Sequence, residues 1–99
     1  MQEIHYRVLY RNGNLTEIAD FYRTSEGKFV FEYLDNPKYE FPGFSIANKK
    51  YENDTIWEQI AFRVPNNIRS QNPNTPIEEL LSETDGQLIT DHFEFQIVQ

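Results

Sequence analysis

The chain has 99 residues, 38% hydrophobic and 15% aromatic. That length supports one small domain, burying about 60–65% of its unfolded surface, and excludes nested domains and a large cofactor cavity. Eight Phe, six Tyr and Trp57 suffice for a core and argue against wholesale disorder. The absence of cysteine removes disulfides, thiolate metal sites and thiol catalysis.

The net charge of −7 is unevenly placed. Residues 1–50 carry seven Lys/Arg and seven Asp/Glu, whereas residues 51–99 carry two and nine. An acidic half with no basic stripe argues against binding a phosphate backbone. It favours a basic protein partner through charge complementarity, although acid also serves plain solubility. The chain opens at Met1 and carries no apolar run near 18 residues. The expectation is a cytoplasmic protein without a membrane span or signal peptide.

Ile4, Tyr6, Val8 and Tyr10 alternate with His5, Arg7, Leu9 and Arg11, the period of a half-buried strand. Asn12-Gly13 then suits a type I′ turn, in which both central residues need positive φ. Leu15 to Tyr22 returns antiparallel, with poor alternation. Glu26-Gly27-Lys28 is a second turn, and Phe29, Phe31 and Tyr33 line one face of a third strand. Residues 35–50 are loop-like, interrupted by Pro37 and by the turn signal Pro42-Gly43. Their apolar residues Phe41, Phe44 and Ile46 are expected to fold back over the sheet.

Asn53-Asp54-Thr55 offers N-cap side chains for a helix from Asp54 to Val64. Ile56, Trp57, Ile60, Ala61 and Val64 share its apolar face, with Phe62 on the opposite side. Pro65 ends it, and residues 66–75 read as a polar connection. Thr75-Pro76-Ile77-Glu78 predicts a second helix start with a capping box. Ile77, Leu80 and Leu81 form its stripe, and Gly86 its stop. Phe93, Phe95 and Ile97 alternate in a last strand expected to join the N-terminal sheet. The predicted class is α+β, a small antiparallel sheet with two short helices.

Chemistry is sparse in this sequence. His5 and His92 sit in strands opposite the aromatic row, without HxH or HxxxH spacing, and read as surface residues. No serine lies in a GxSxG elbow, and four isolated glycines make no phosphate-cradling loop. Glu78-Glu79 reads as the solvent face of a first helical turn. The expectation is no catalytic site, no cofactor and no metal. Binding remains. Trp57 is the sole tryptophan, suited either to a hot spot or to the core. Phe62 lies on the face of Glu58 and Gln59, covered by another element or by a partner. Arg63 and Arg69 flank Pro65, to pair with Glu58 or Glu79 or to contact an acidic patch of a partner.

The order of these segments resembles the small N-terminal domain of HipA-type kinases. The matching stretches are Val8-Leu9-Tyr10-Arg11-Asn12-Gly13-Asn14-Leu15, the aromatic strand Phe29-Val30-Phe31-Glu32-Tyr33-Leu34, and a proline-rich loop. Tyr51-Glu52-Asn53-Asp54 and Ile56-Trp57-Glu58-Gln59-Ile60-Ala61-Phe62-Arg63-Val64-Pro65 follow, and Gly86 to Phe95 resembles closing segments of some members. The family's Ser-x-Ser-Leu-Pro run is reduced here to Phe44-Ser45-Ile46. The kinase body's glycine-rich loop, catalytic Asp and metal-binding Asp are missing. A free-standing domain of this kind resembles the small subunit of tripartite HipBST toxin–antitoxin systems. The resemblance implies a non-catalytic antitoxin that binds and inhibits a HipA-like Ser/Thr kinase toxin, with a helix-turn-helix subunit supplying DNA binding. The alternative is a scaffold that links those two without inhibiting. The expected contact residues are Trp57 as anchor, Phe62 and Tyr51 beside it, and Asp54, Glu58 and Arg63 around them.

Overall fold

The computed structural model describes residues 4–84 and 92–98. β1 (Ile4–Asn12) and β2 (Asn14–Arg23) form an antiparallel hairpin, and β3 (Phe29–Tyr33) pairs with the far side of β2. β4 (Lys50–Asn53) adds to β3, while β5 (Phe93–Ile97) adds to β1, giving the antiparallel order β4-β3-β2-β1-β5. Three short helices, α1 (Glu58–Ala61), α2 (Asn66–Gln71) and α3 (Ile77–Thr84), lie between β4 and β5 in the chain. The expected α+β class holds, and the last strand joins the N-terminal sheet as predicted. None of these helices is long and apolar enough to cross a membrane.

Strand parity sorts the sheet into two faces. Register places Phe21 opposite Tyr6 and Phe31, and Phe95 opposite Val8, so these side chains share the core face and are buried. Their rings meet as preferred aromatic pairs, Phe21 edge-on to Phe95 with centroids 5.8 Å apart. Each such pair is worth about 0.5–1.5 kcal/mol beyond burial. The other face carries charge. Asp20 accepts from Arg7 Nε at 2.7 Å and lies 2.9 Å from His5 Nε2, while Arg7 also reaches Glu17 at 2.8 Å. Arg11 pairs with Glu94 across β1 and β5 at 3.0 Å.

The weak alternation of β2 has a structural cause. Val8 faces Ala19 but Leu9 faces Glu17, so Ile18 is the extra residue of a β-bulge. Ile18 and Ala19 are consecutive and both fully buried. The predicted type I′ turn is not formed. Gly13 has φ +73, but among the described residues Asn36 is the only non-glycine with positive φ. Asn12 therefore stays extended and pairs with Asn14 across Gly13.

The irregular stretch between β3 and β4 is fastened by Tyr33, only 2% exposed. Its hydroxyl accepts from the Phe41 N–H at 2.9 Å and donates to the Phe44 carbonyl. Phe41 and Phe44 are thereby buried over the sheet, as expected. Gly43 turns the chain between them at φ +88, in the left-handed region that favours glycine. Ile46 departs from the expectation and stays 39% exposed. Its N–H is drawn instead to the Glu40 carboxylate at 2.9 Å.

Four further expectations are corrected. Lys50, expected to end the loop-like stretch, instead opens the strand Lys50–Asn53, in which Tyr51 opposes Phe31 and the backbone completes the edge of the sheet. Residues 66–71 are helical although their sequence lacks an apolar repeat. Glu78 is buried, not on the solvent face: its carboxylate pairs with Arg23, and its carbonyl accepts the Tyr6 hydroxyl at 2.6 Å. That inward turn takes Glu78 away from the predicted capping box. Gly86, the expected helix stop, lies outside the described residues.

Tyr33→Phe should destabilise the fold by about 1–3 kcal/mol, because a buried N–H and a buried carbonyl lose their partner together. Urea denaturation checks this, and a loss below 0.5 kcal/mol (a rough threshold) would contradict the bridge. Burial also pushes the Tyr33 phenol up to about 12 from 10.0, and raises Tyr6 and Tyr22. Between those values the unfolded chain has released phenolic protons that the folded chain keeps. This contribution is intact below pH 10 and is lost as pH rises toward 12. Denaturation midpoints measured across that window should fall, and fall less in Tyr33→Phe.

Candidate partner-binding surface

Phe44 supports two of the predicted contact residues. It stacks on Phe31 with centroids 4.2 Å apart and receives the edges of Tyr51 at 5.1 Å and Trp57 at 5.0 Å. Tyr51 is half-buried on the edge strand β4, with its hydroxyl donating to the Ser45 carbonyl at 2.8 Å. Trp57 is also half-buried and rests on the core. The structure thus joins Tyr51 and Trp57 through one ring that the sequence reading treated only as loop packing.

The helix carrying this surface is shorter than predicted. It spans Glu58–Ala61, with Trp57 as an extended N-cap at φ −71 and ψ 143 and no side-chain cap. Asn53-Asp54-Thr55 does not cap it. Asn53 is committed to the ladder opposite Phe29, and its amide donates to the Thr55 carbonyl at 2.9 Å. Those side chains shape the exit from β4 instead. Asp54 is exposed and lines a shallow depression of about 180 Å³ with Lys28, Glu52 and Asn53.

Phe62 closes α1. Its N–H donates to the Glu58 carbonyl at 3.0 Å, so the two residues stand one turn apart on the same side. Glu58 is exposed and Phe62 is 54% exposed. More than half of this ring is left open to solvent, so the expected alternative of burial under another element does not hold.

Arg63 is not a surface contact, and this corrects its assignment. It is 2% exposed, with its guanidinium carbon 4.7 Å from the Phe41 ring centroid, 5.7 Å from Phe95 and 6.0 Å from Phe93. The turn after α1 sends adjacent residues to opposite sides, Phe62 out and Arg63 in. A planar, weakly hydrated cation is the charged group that aromatic faces accept most readily. Arg69 also departs from the pairing expected with Glu58 or Glu79. Its Nε donates to the Val64 carbonyl at 3.0 Å and its Nη2 to the Ala61 carbonyl. It thereby gives a second donor to the Ala61 carbonyl, which already accepts the Val64 N–H at 3.1 Å, and a donor to the Val64 carbonyl in the turn after α1.

Of the six predicted residues, Tyr51 and Trp57 meet on Phe44, Phe62 and Glu58 share one helical side, Asp54 lies just beyond β4, and Arg63 is turned away. Phe44 and Arg69 act as supports, roles that the sequence did not assign to them: Phe44 was expected only to fold over the sheet and Arg69 to pair with a carboxylate or meet a partner. The Pro42-Gly43-Phe44 order marked a turn but not what it would hold. Compared with known proteins, the chain matches no family model and no curated protein.

Phe62→Ala should change stability by no more than about 0.5 kcal/mol, as for an exposed side chain. Arg63→Ala should lose about 2 kcal/mol or more, because a desolvated cation–π cluster and its packing vanish. Parallel urea titrations compare them. Equal losses would mean that the Phe62 ring is packed rather than presented.

Proposed function

We propose that this chain is a non-catalytic antitoxin subunit that binds and inhibits a HipA-like Ser/Thr kinase toxin in the cytoplasm. The observation that carries the reading is the half-exposed Phe62 ring on a helix end held from beneath by Arg63 and Arg69. A large apolar ring on a rigid support loses little freedom when it docks, so more of its burial appears as affinity. The order of motifs from Val8 to Pro65, resembling the N-terminal domain of HipA-type kinases, supplies the class of partner. Inhibition would be steric or conformational: the domain docks by the nucleotide-binding lobe and holds the kinase inactive. Trp57 and Tyr51 rest on Phe44, and Phe62 takes the anchor role expected of Trp57. A helix-turn-helix subunit in the same assembly would contribute DNA binding.

The test is a phosphotransfer assay of a HipA-like Ser/Thr kinase from the same genome with and without the full chain. The expected result is inhibition at stoichiometric ratio, weakened at least about tenfold by Phe62→Ala, a loss of about 1.4 kcal/mol. A complex that forms while phosphotransfer is unchanged would replace inhibition with the scaffold role. No complex at all would remove the kinase partner.

A further inference from the structure

We infer that the partner surface facing α1 is an apolar socket rimmed by lysine or arginine, an inference that rests on the kinase-binding reading and specifies its chemistry. The acidic half has few basic residues to set against its carboxylates. Only Arg63 and Arg69 lie beyond residue 50. The structure withdraws both from the surface charge of α1: Arg63 is buried against three rings, and Arg69 is spent on two main-chain carbonyls. Glu58 stands exposed one turn from Phe62, and among the described residues no ion pair or side-chain hydrogen bond engages it. Glu52 and Asp54 lie at the other end of the segment with Lys28 in the same depression, two carboxylates to one ammonium. A protruding ring is thus accompanied, among the described residues, by an unpaired carboxylate at Glu58 and by a depression with more acid than base.

This combination selects among possible occupants. Nucleic acid and anionic membranes are repelled by it. A second copy meeting this surface about a two-fold axis would set like carboxylates against each other. A socket with a cationic rim takes the ring in its centre and complements the acid at its edge, the usual division between an apolar interface core and a polar rim. The two parts should then govern different rate constants, the ring dissociation and the carboxylates association.

The experiment measures association and dissociation rates of the full chain with the same kinase at low and high salt. Phe62→Ala should raise the dissociation rate about tenfold or more with little change in association. Glu58→Gln combined with Asp54→Asn should slow association several-fold at low salt and converge with wild type at high salt, while dissociation changes little. Both positions are exposed, and matched melting curves verify that the variants fold. Association that depends on salt equally in wild type and the neutralised variant would overturn the cationic rim while leaving kinase binding intact. A wild-type dimer in sedimentation that Phe62→Ala dissociates would overturn it by making a second copy the occupant. Absence of any complex with the kinase would overturn this inference and the reading beneath it together.

Discussion

Two hydrogen bonds from one phenol organise the half of the molecule that follows the meander. Tyr33 is the last residue of β3, and its hydroxyl joins the Phe41 N–H to the Phe44 carbonyl. A segment broken by prolines has few backbone partners of its own, so without this bridge it would gain little by lying on the sheet. With it in place, Phe44 lies flat on Phe31 and becomes the seat for Tyr51 and Trp57. Phe41 becomes one wall of the Arg63 site. The edge strand, the first helix and the exposed ring therefore all trace back to one buried polar group with both of its roles filled.

Buried charge is used twice, in different ways. Arg23 and Glu78 form an ion pair between β2 and α3, both about nine-tenths buried, and Tyr6 binds the carbonyl of the same Glu78. Desolvating two ions offsets much of their attraction, so the pair contributes little net stability compared with apolar residues of that shape. Its consequence is positional, since removing Arg23 would leave a buried carboxylate without its cation, and the pair ties α3 to β2. Arg63 is buried too, with its guanidinium set against the faces of Phe41, Phe93 and Phe95, where the quadrupoles of the rings favour a cation. The first pairs an acid of residues 51–99 with a base from the other half, whereas the burial of Arg63 takes a cation of the acidic half itself away from the outer surface.

The two faces of the sheet divide the work of the domain. One is closed by the aromatic core and the helices. The other is an open lattice of Arg7, Asp20, Glu17 and His5, with Arg11 and Glu94 beside it, in which opposite charges already answer each other. A self-satisfied face has little to gain from a partner. Among the described residues the exposed Phe62 ring and the unpaired Glu58 carboxylate stand one turn apart on α1, which is why the proposed contact is placed there and not on the broad sheet.

The period-2 rows of β1, β3 and β5 were legible because alternation along a strand is a local property, and a row such as Phe29, Phe31 and Tyr33 can satisfy itself only on a single buried face. The outward position of Phe62 was legible for the same kind of reason, from helical geometry alone. β4 and α2 were not, since Lys50–Asn53 and Asn66–Gln71 carry no apolar repeat and owe their form to Phe44 and to the reach of Arg69 toward the Ala61 and Val64 carbonyls. The burial of Arg63 and Glu78 was hidden as well, because a charged residue reads as exposed until its distant partners are known. By itself, then, the sequence determined the strand rows, the α+β class and the excess of acid, all of which are sums or periods over neighbouring residues. Tertiary structure alone decided which charges went inside and which ring was left outside, because those outcomes depend on groups tens of residues apart arriving at the same place.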